Sequence, residues 1–271
     1  MNRIGLEPLL RRDRVIVVAA LATIVVIAWV YVLRLAAGMD MGGMDMTSFR
    51  MISTGFEMAM APAETSWSGK DFVLTFVMWA VMMIGMMTPS AAPMILIYAR
   101  AGRMASEAGR PLAATGWFAT AYLGVWTGFA LLATTAQWAL ERFALLDPAM
   151  ASASTLLGGV LLIVAGLYQW TPLKQACLIS CQSPLLFIQR HGGFHGSISG
   201  AFRLGGEHGL HCLGCCWALM VLLFVGGVMN IAWIAALTIF ALAEKAIPAG
   251  RTVSWIAGAI LIIWGLMLFA T

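Results

Sequence analysis

The chain has 271 residues, 61% hydrophobic and only 10% charged, which leaves too little polar surface to cover a soluble globule. Its mean hydropathy of +0.90 belongs to a polytopic membrane protein. The net charge of +4 is not gathered into a basic patch with interleaved aromatics, so it speaks to topology and excludes nucleic acid as a partner.

In chain order, Arg3, Arg11, Arg12 and Arg14 precede the first apolar run, and no A-x-A-like cleavage site follows it, so that run reads as a retained span. Six spans are expected, at about 15–35, 72–98, 115–140, 154–170, 212–243 and 253–269, in one transmembrane domain covering 1–271. Six crossings return the chain to its starting side. On that count ten of the 16 Lys and Arg fall on the N-terminal side. The expected fold is therefore all-α, a multi-pass helical bundle of a bacterial inner membrane with both termini cytoplasmic. The fifth segment is too long for one straight crossing, about 48 Å for a continuous helix. Gly226, Gly227 and Asn230 are placed to break or tilt it, Asn230 by marking the break or by bonding another helix. Glu244 and Lys245 then fall at the outer boundary, where snorkelling accounts for them.

The outer loop, 36–71, opens with Met39, Met41, Met44 and Met46 among glycines and with Asp40 and Asp45. A flexible run of this kind has no core in which to bury methionine. It can wrap a soft cation, or lie at the interface with its methionines in lipid. The second span follows with Met78, Met82, Met83, Met86 and Met87. At about 100° per residue these form two adjacent ridges on one half-face, Met78, Met82 and Met86 beside Met83, Met87 and Met94. Thirteen of the 19 methionines lie between Met39 and Met94. Pro89 and Pro93 each remove a helical hydrogen bond, so a kink just past the ladder is expected. Thioether sulfur is a soft, uncharged ligand suited to Cu(I); the alternative is methionine as flexible apolar filler.

All five cysteines and all four histidines lie between Cys177 and Cys216, in and just after an inner loop expected at 171–211. Cys177 and Cys181 are spaced i,i+4. His208, His211, Cys212, Cys215 and Cys216, if helical, share a face about 140° wide. Facing Cys177 and Cys181, it offers thiolates and imidazoles to Cu(I), or to zinc. The alternative is cysteine as a small residue at close helix contacts. His191 and His195 stand in a Gly-rich loop and are expected to face solvent. A disulfide is not expected on a reducing cytoplasmic side.

Three stretches carry a family resemblance: MWAVMMIGMMTPSAAPM at 78–94, TPLKQACLISCQSPL at 171–185, and HCLGCCWALMVLLFVGGVMN at 211–230 followed by Glu244-Lys245. Together they resemble the bacterial predicted metal-binding integral membrane proteins, a domain of unknown function. The Met-x-x-x-Met ladder is also locally similar to that of eukaryotic high-affinity copper transporters, whose subunits have three helices. The expectation is transport or handling of Cu(I), passed between the outer methionines, the ladder and the inner Cys/His cluster. Its partners would be the bilayer, the metal ion, and a periplasmic or cytoplasmic metallochaperone or other subunits of a membrane complex. Two other classes are consistent with parts of the sequence. A membrane thiol oxidoreductase would use Cys pairs such as the Cys212-x-x-Cys215 motif. A non-catalytic subunit of a membrane complex would carry a structural metal.

Overall fold

The computed structural model describes residues 6–42 (side chains from 15 to 37), 67–109, 115–146, 150–152, 154–194 and 196–270. Among these there is no strand, as the sequence leads one to expect. The helices are α1 Leu6–Gly42, α2 Gly69–Glu107, α3 Thr115–Arg142, α4 Thr155–Gln169, α5 Pro172–Gln182, α6 Pro184–Arg190, α7 Ile198–Val221, α8 Leu223–Gly226, α9 Ile231–Ala246 and α10 Gly250–Ala270. Five segments are long and apolar enough to cross a membrane. The pair α4 and α5, bent by 64° where Pro172 follows Thr171, brings the number to six when counted as one broken span. The outward faces are apolar, with Val15, Ile27, Leu132, Leu156 and Ile239 all exposed. In water such surface would drive aggregation; in lipid it is ordinary.

The helix starts follow local chemistry. Ser68 caps α2 in a capping box, its hydroxyl bonding the amide of Asp71 while the Asp71 carboxylate accepts from Ser68. Pro89 and Pro93 do not interrupt α2, which runs unbroken for 39 residues. Hydroxyls from Thr88, Ser90 and Tyr122 donate to the carbonyls of Ile84, Met87 and Met87 at 2.6, 2.9 and 3.0 Å. These bonds tie side chains to the turns beside the prolines; the carbonyls that Pro89 and Pro93 deprive of a helical donor are those of Gly85 and Pro89.

The segment 212–243, expected as one span broken or tilted near Gly226, Gly227 and Asn230, runs through α7, the short α8 and α9, and α7 begins well before Cys212. α7 starts at Ile198, where Ser197 accepts from the amide of Gly200. The expected inner loop is thus mostly helical. What reads as a loop, with Gly205, Gly206 and Gly209, is helix pressed against α3. A Cβ on Gly205 would run into the backbone carbonyl of Phe118. The break lies where expected: Gly227 has φ 93°, and Asn230 caps α9 by accepting from the amide of Trp233 at 3.1 Å.

Contacts along the bundle fix the sense of each helix. α2 is antiparallel to α3, since Trp79 meets Gln137 and Met87 meets Tyr122. α7 is parallel to α3, with Gly205 at Phe118 and Gly209 at Tyr122. α4 and α10 are antiparallel and pack backbone to backbone, Gly166 on Gly258 and Gly159 on Gly265. α9 runs back beside α2, from Ile234 near Met82 and Met86 to Lys245 beside Ser90. This added return gives α10 the sense of α1. Residues 15 and 270 therefore lie at opposite ends of the bundle, where an even number of crossings would have put them together.

Candidate metal centre

The ladder faces inward. Met78, Met82, Met83, Met86, Met87 and Met94 are between 0 and 4% exposed, so they are not spread into lipid. Near their N-terminal end Trp79 donates to Gln137 at 2.7 Å, and Gln137 donates to Glu141 at 2.8 Å and to the Met150 sulfur at 3.3 Å. Trp67 donates to the other Glu141 oxygen at 2.7 Å. A polar string with a carboxylate thus stands beside the head of the thioether column. Met39 and Met41 fall on the last turn of α1, with side chains outside the described residues, and Met44 and Met46 lie outside them altogether.

At its other end the column meets the cysteines. The Cys216 sulfur is 3.9 Å from the Met87 sulfur. Cys212, one turn earlier, has the Tyr122 hydroxyl at 3.1 Å, the Ser90 hydroxyl at 3.9 Å and the Lys245 ammonium at 3.0 Å. Lys245 also reaches Cys216 at 3.8 Å and donates to Ser90 at 3.1 Å. Cys215 meets Cys181 at 4.0 Å, and both interact with Cys212. The remaining cysteine, Cys177, lies against Gly214, where a Cβ would come within 2.7 Å of its sulfur. Glycine there is what lets α5 bring its thiols onto α7.

All five cysteines are free, and Cys212, Cys215 and Cys216 are buried. The Cys212-x-x-Cys215 pair is buried inside the bundle, where both thiols interact with each other and with Cys181. That arrangement does not serve thiol exchange, which needs an accessible attacking thiolate.

Glu244 and Lys245 do not snorkel at an outer boundary. Both are buried, and α9 carries them to the level of the cysteines. Glu244 accepts from Lys174 at 2.7 and 2.9 Å and from the Ser254 hydroxyl at 2.6 Å, and Lys174 also donates to Gln169. Gln182 donates to the Glu244 carbonyl at 2.7 Å. The pair joins α5, α9 and α10 behind the sulfur cluster. Sequence reasoning missed Lys245, Tyr122 and Ser90 as neighbours of Cys212. One signal was present: an ionisable residue inside an apolar segment needs an internal partner.

Of the described histidines, only His208 stays beside the cysteines, near Cys212 and Lys245. His208 is buried among the rings of Phe118, Tyr122 and Phe187, and its Nδ1 finds no hydrogen-bond partner among the described residues. His211 holds the Glu207 carbonyl at 2.8 Å through Nδ1 and turns toward Phe187 and His191. His191, expected in solvent, is half-buried and stacked on Phe187 with centroids 4.1 Å apart. His195 lies outside the described residues.

Among the described residues no three His, Cys, Asp or Glu side chains converge into a ready metal shell. Sulfurs are nevertheless gathered: Cys181, Cys212, Cys215 and Cys216 interact thiol with thiol, and Cys216 also meets Met87. Two sulfurs about 4 Å apart can share one soft ion at a metal–thiolate reach of roughly 2.3 Å. Paired soft donors suit Cu(I), whereas a structural zinc site wants four closed ligands.

The described residues thus form a bundle of helices, several long and apolar enough to cross a membrane, around buried methionine and cysteine sulfur. The family model for PpoB2, described as a copper chaperone, matches residues 76–268, and the chain belongs to that family. No curated protein and no solved structure matches it. The matched region begins at Phe76, just before the ladder, and takes in all five cysteines and Lys245.

Proposed function

We propose that the protein carries Cu(I) within a membrane, receiving it on the α2 thioethers and holding it on the α7 and α5 cysteines before handing it on. The observation that carries this reading is the 3.9 Å approach of the Met87 and Cys216 sulfurs, which joins ladder and cluster into one line. Along that line every donor is soft. Uncharged thioethers spaced one turn apart on each ridge exchange an ion without trapping it, and thiolate binds Cu(I) more tightly than thioether. Affinity therefore falls off from the cysteines toward Met78, and the ion runs from ladder to cluster. Glu141, beside the head of the column, attracts positive charge, and the outer methionines Met39, Met41, Met44 and Met46 are the collecting segment that feeds it. The family's description supports copper as the cargo.

The test is the metal content of protein purified anaerobically from cells given copper and zinc together. Wild-type protein is expected to retain copper. The Cys212→Ser/Cys216→Ser variant should lose its tightest-bound copper, because hydroxyl oxygen is a harder and weaker ligand for Cu(I). A doubly substituted protein that folds and keeps its full copper load would reduce these cysteines to packing residues.

A further inference from the structure

We infer that Lys245 sets the metal selectivity of the site: its fixed positive charge makes a two-thiolate site neutral with a monovalent soft cation and charged with a divalent one. This rests on the copper-binding reading above and adds to it a residue that excludes the competing metal.

In a dry interior, net charge decides which ion is held. Among the described residues three formally charged side chains are buried, Lys174, Glu244 and Lys245. The first two neutralise each other at 2.7 Å. Lys245 is left facing sulfur and a hydroxyl: Cys212 at 3.0 Å, Cys216 at 3.8 Å and Ser90 at 3.1 Å. The other groups that face it are Tyr122 on α3, the thiols of Cys215 on α7 and Cys181 on α5, and the His208 imidazole on α7; none of them is a carboxylate. Its neighbour Glu244 is turned away toward Lys174 and Ser254.

When two thiols bind a metal they release their protons and contribute two negative charges. With Cu(I) the sum over metal, thiolates and Lys245 is zero. With Zn(II) it is one positive charge, which no buried carboxylate is free to offset. An uncompensated charge in a low-dielectric interior is strongly disfavoured. Ligand softness alone gives no such rejection, because thiolate also serves zinc well. The ammonium does this by position: it lies on the same side of α7 as Cys212 and Cys216, within reach of both sulfurs.

The experiment is competition between Cu(I) and Zn(II) for the purified chain in detergent without oxygen, reading the ratio of the two metals bound by wild type, Lys245→Met, Lys245→Gln and Lys245→Arg. Removing the charge should lower the preference for Cu(I) over Zn(II) by on the order of tenfold or more. Lys245→Arg, which keeps the charge, should stay near the wild-type ratio. Lys245→Gln serves if Lys245→Met does not fold. A wild-type protein that binds Cu(I) through Cys212 and Cys216, together with an unchanged ratio in the uncharged variants, would overturn the role of Lys245 and leave the copper reading standing. A wild-type protein with no cysteine-dependent Cu(I) would overturn both.

Discussion

At the scale of single residues, the buried Lys174–Glu244 pair is the most exposed to damage by substitution. Both side chains are out of contact with solvent, with Gln169, Ser254 and each other as partners. Replacing Lys174 by Met should cost about 3–5 kcal/mol, since it strands a buried carboxylate. Lys174→Met with Glu244→Gln should recover most of that loss, as read by thermal unfolding in detergent. The methionines behave differently. Met82→Leu with Met86→Leu conserves volume and should cost less than about 1.5 kcal/mol per site. The same change should slow copper loading of the cysteines by removing two soft donors, which stopped-flow loading with Cu(I) would measure. The ridge of Met78, Met82 and Met86 was legible from spacing alone, but that it faces inward was not, because spacing does not say whether a face meets neighbours or lipid. Nor was the partner of Cys212. Lys245 is 33 residues away and Ser90 is 122 away, and their meeting depends on the return of α9.

Among elements, α7 is where local chemistry and packing disagree. Its glycines lower helix propensity, and together with Glu207 and His208 they read as loop. In the fold the missing side chains of Gly205 and Gly209 let α7 lie against α3, at the Phe118 carbonyl and at Tyr122 and Val125. That approach sets the 3.1 Å contact of Tyr122 with Cys212. Gly205→Ala is therefore expected to push α7 outward, cost about 1–3 kcal/mol and weaken copper retention. Tyr122→Phe, which removes only the hydroxyl, should leave α7 in place and affect stability far less. Comparing unfolding temperature and bound copper in the two variants separates backbone spacing from the hydroxyl contact. The break after α7 was legible, because a glycine with positive φ at 227 and an Asx cap at 230 are local devices.

For the whole molecule, the number of long apolar helices followed from composition, while the sense of the last one did not. α9 has 16 residues and, at about 24 Å, is short for a crossing. No hydropathy window separates it from the helix before it. It nevertheless turns the chain back along α2, and this reverses α10. Reporters fused at residues 1 and 271 are accordingly expected on opposite sides of the membrane, and both appearing on one side would contradict the helix order. This order still sets the head of the ladder and the His191–His211 end apart along the bundle, as a path from one to the other requires.

The most direct measurement is X-ray absorption at the copper edge of protein loaded anaerobically with one equivalent of Cu(I). The account predicts a reduced ion with a first shell of sulfur only, which persists in Met82→Leu/Met86→Leu and collapses in Cys212→Ser/Cys216→Ser. A first shell dominated by nitrogen or oxygen, or one unchanged by loss of the two cysteines, would contradict it.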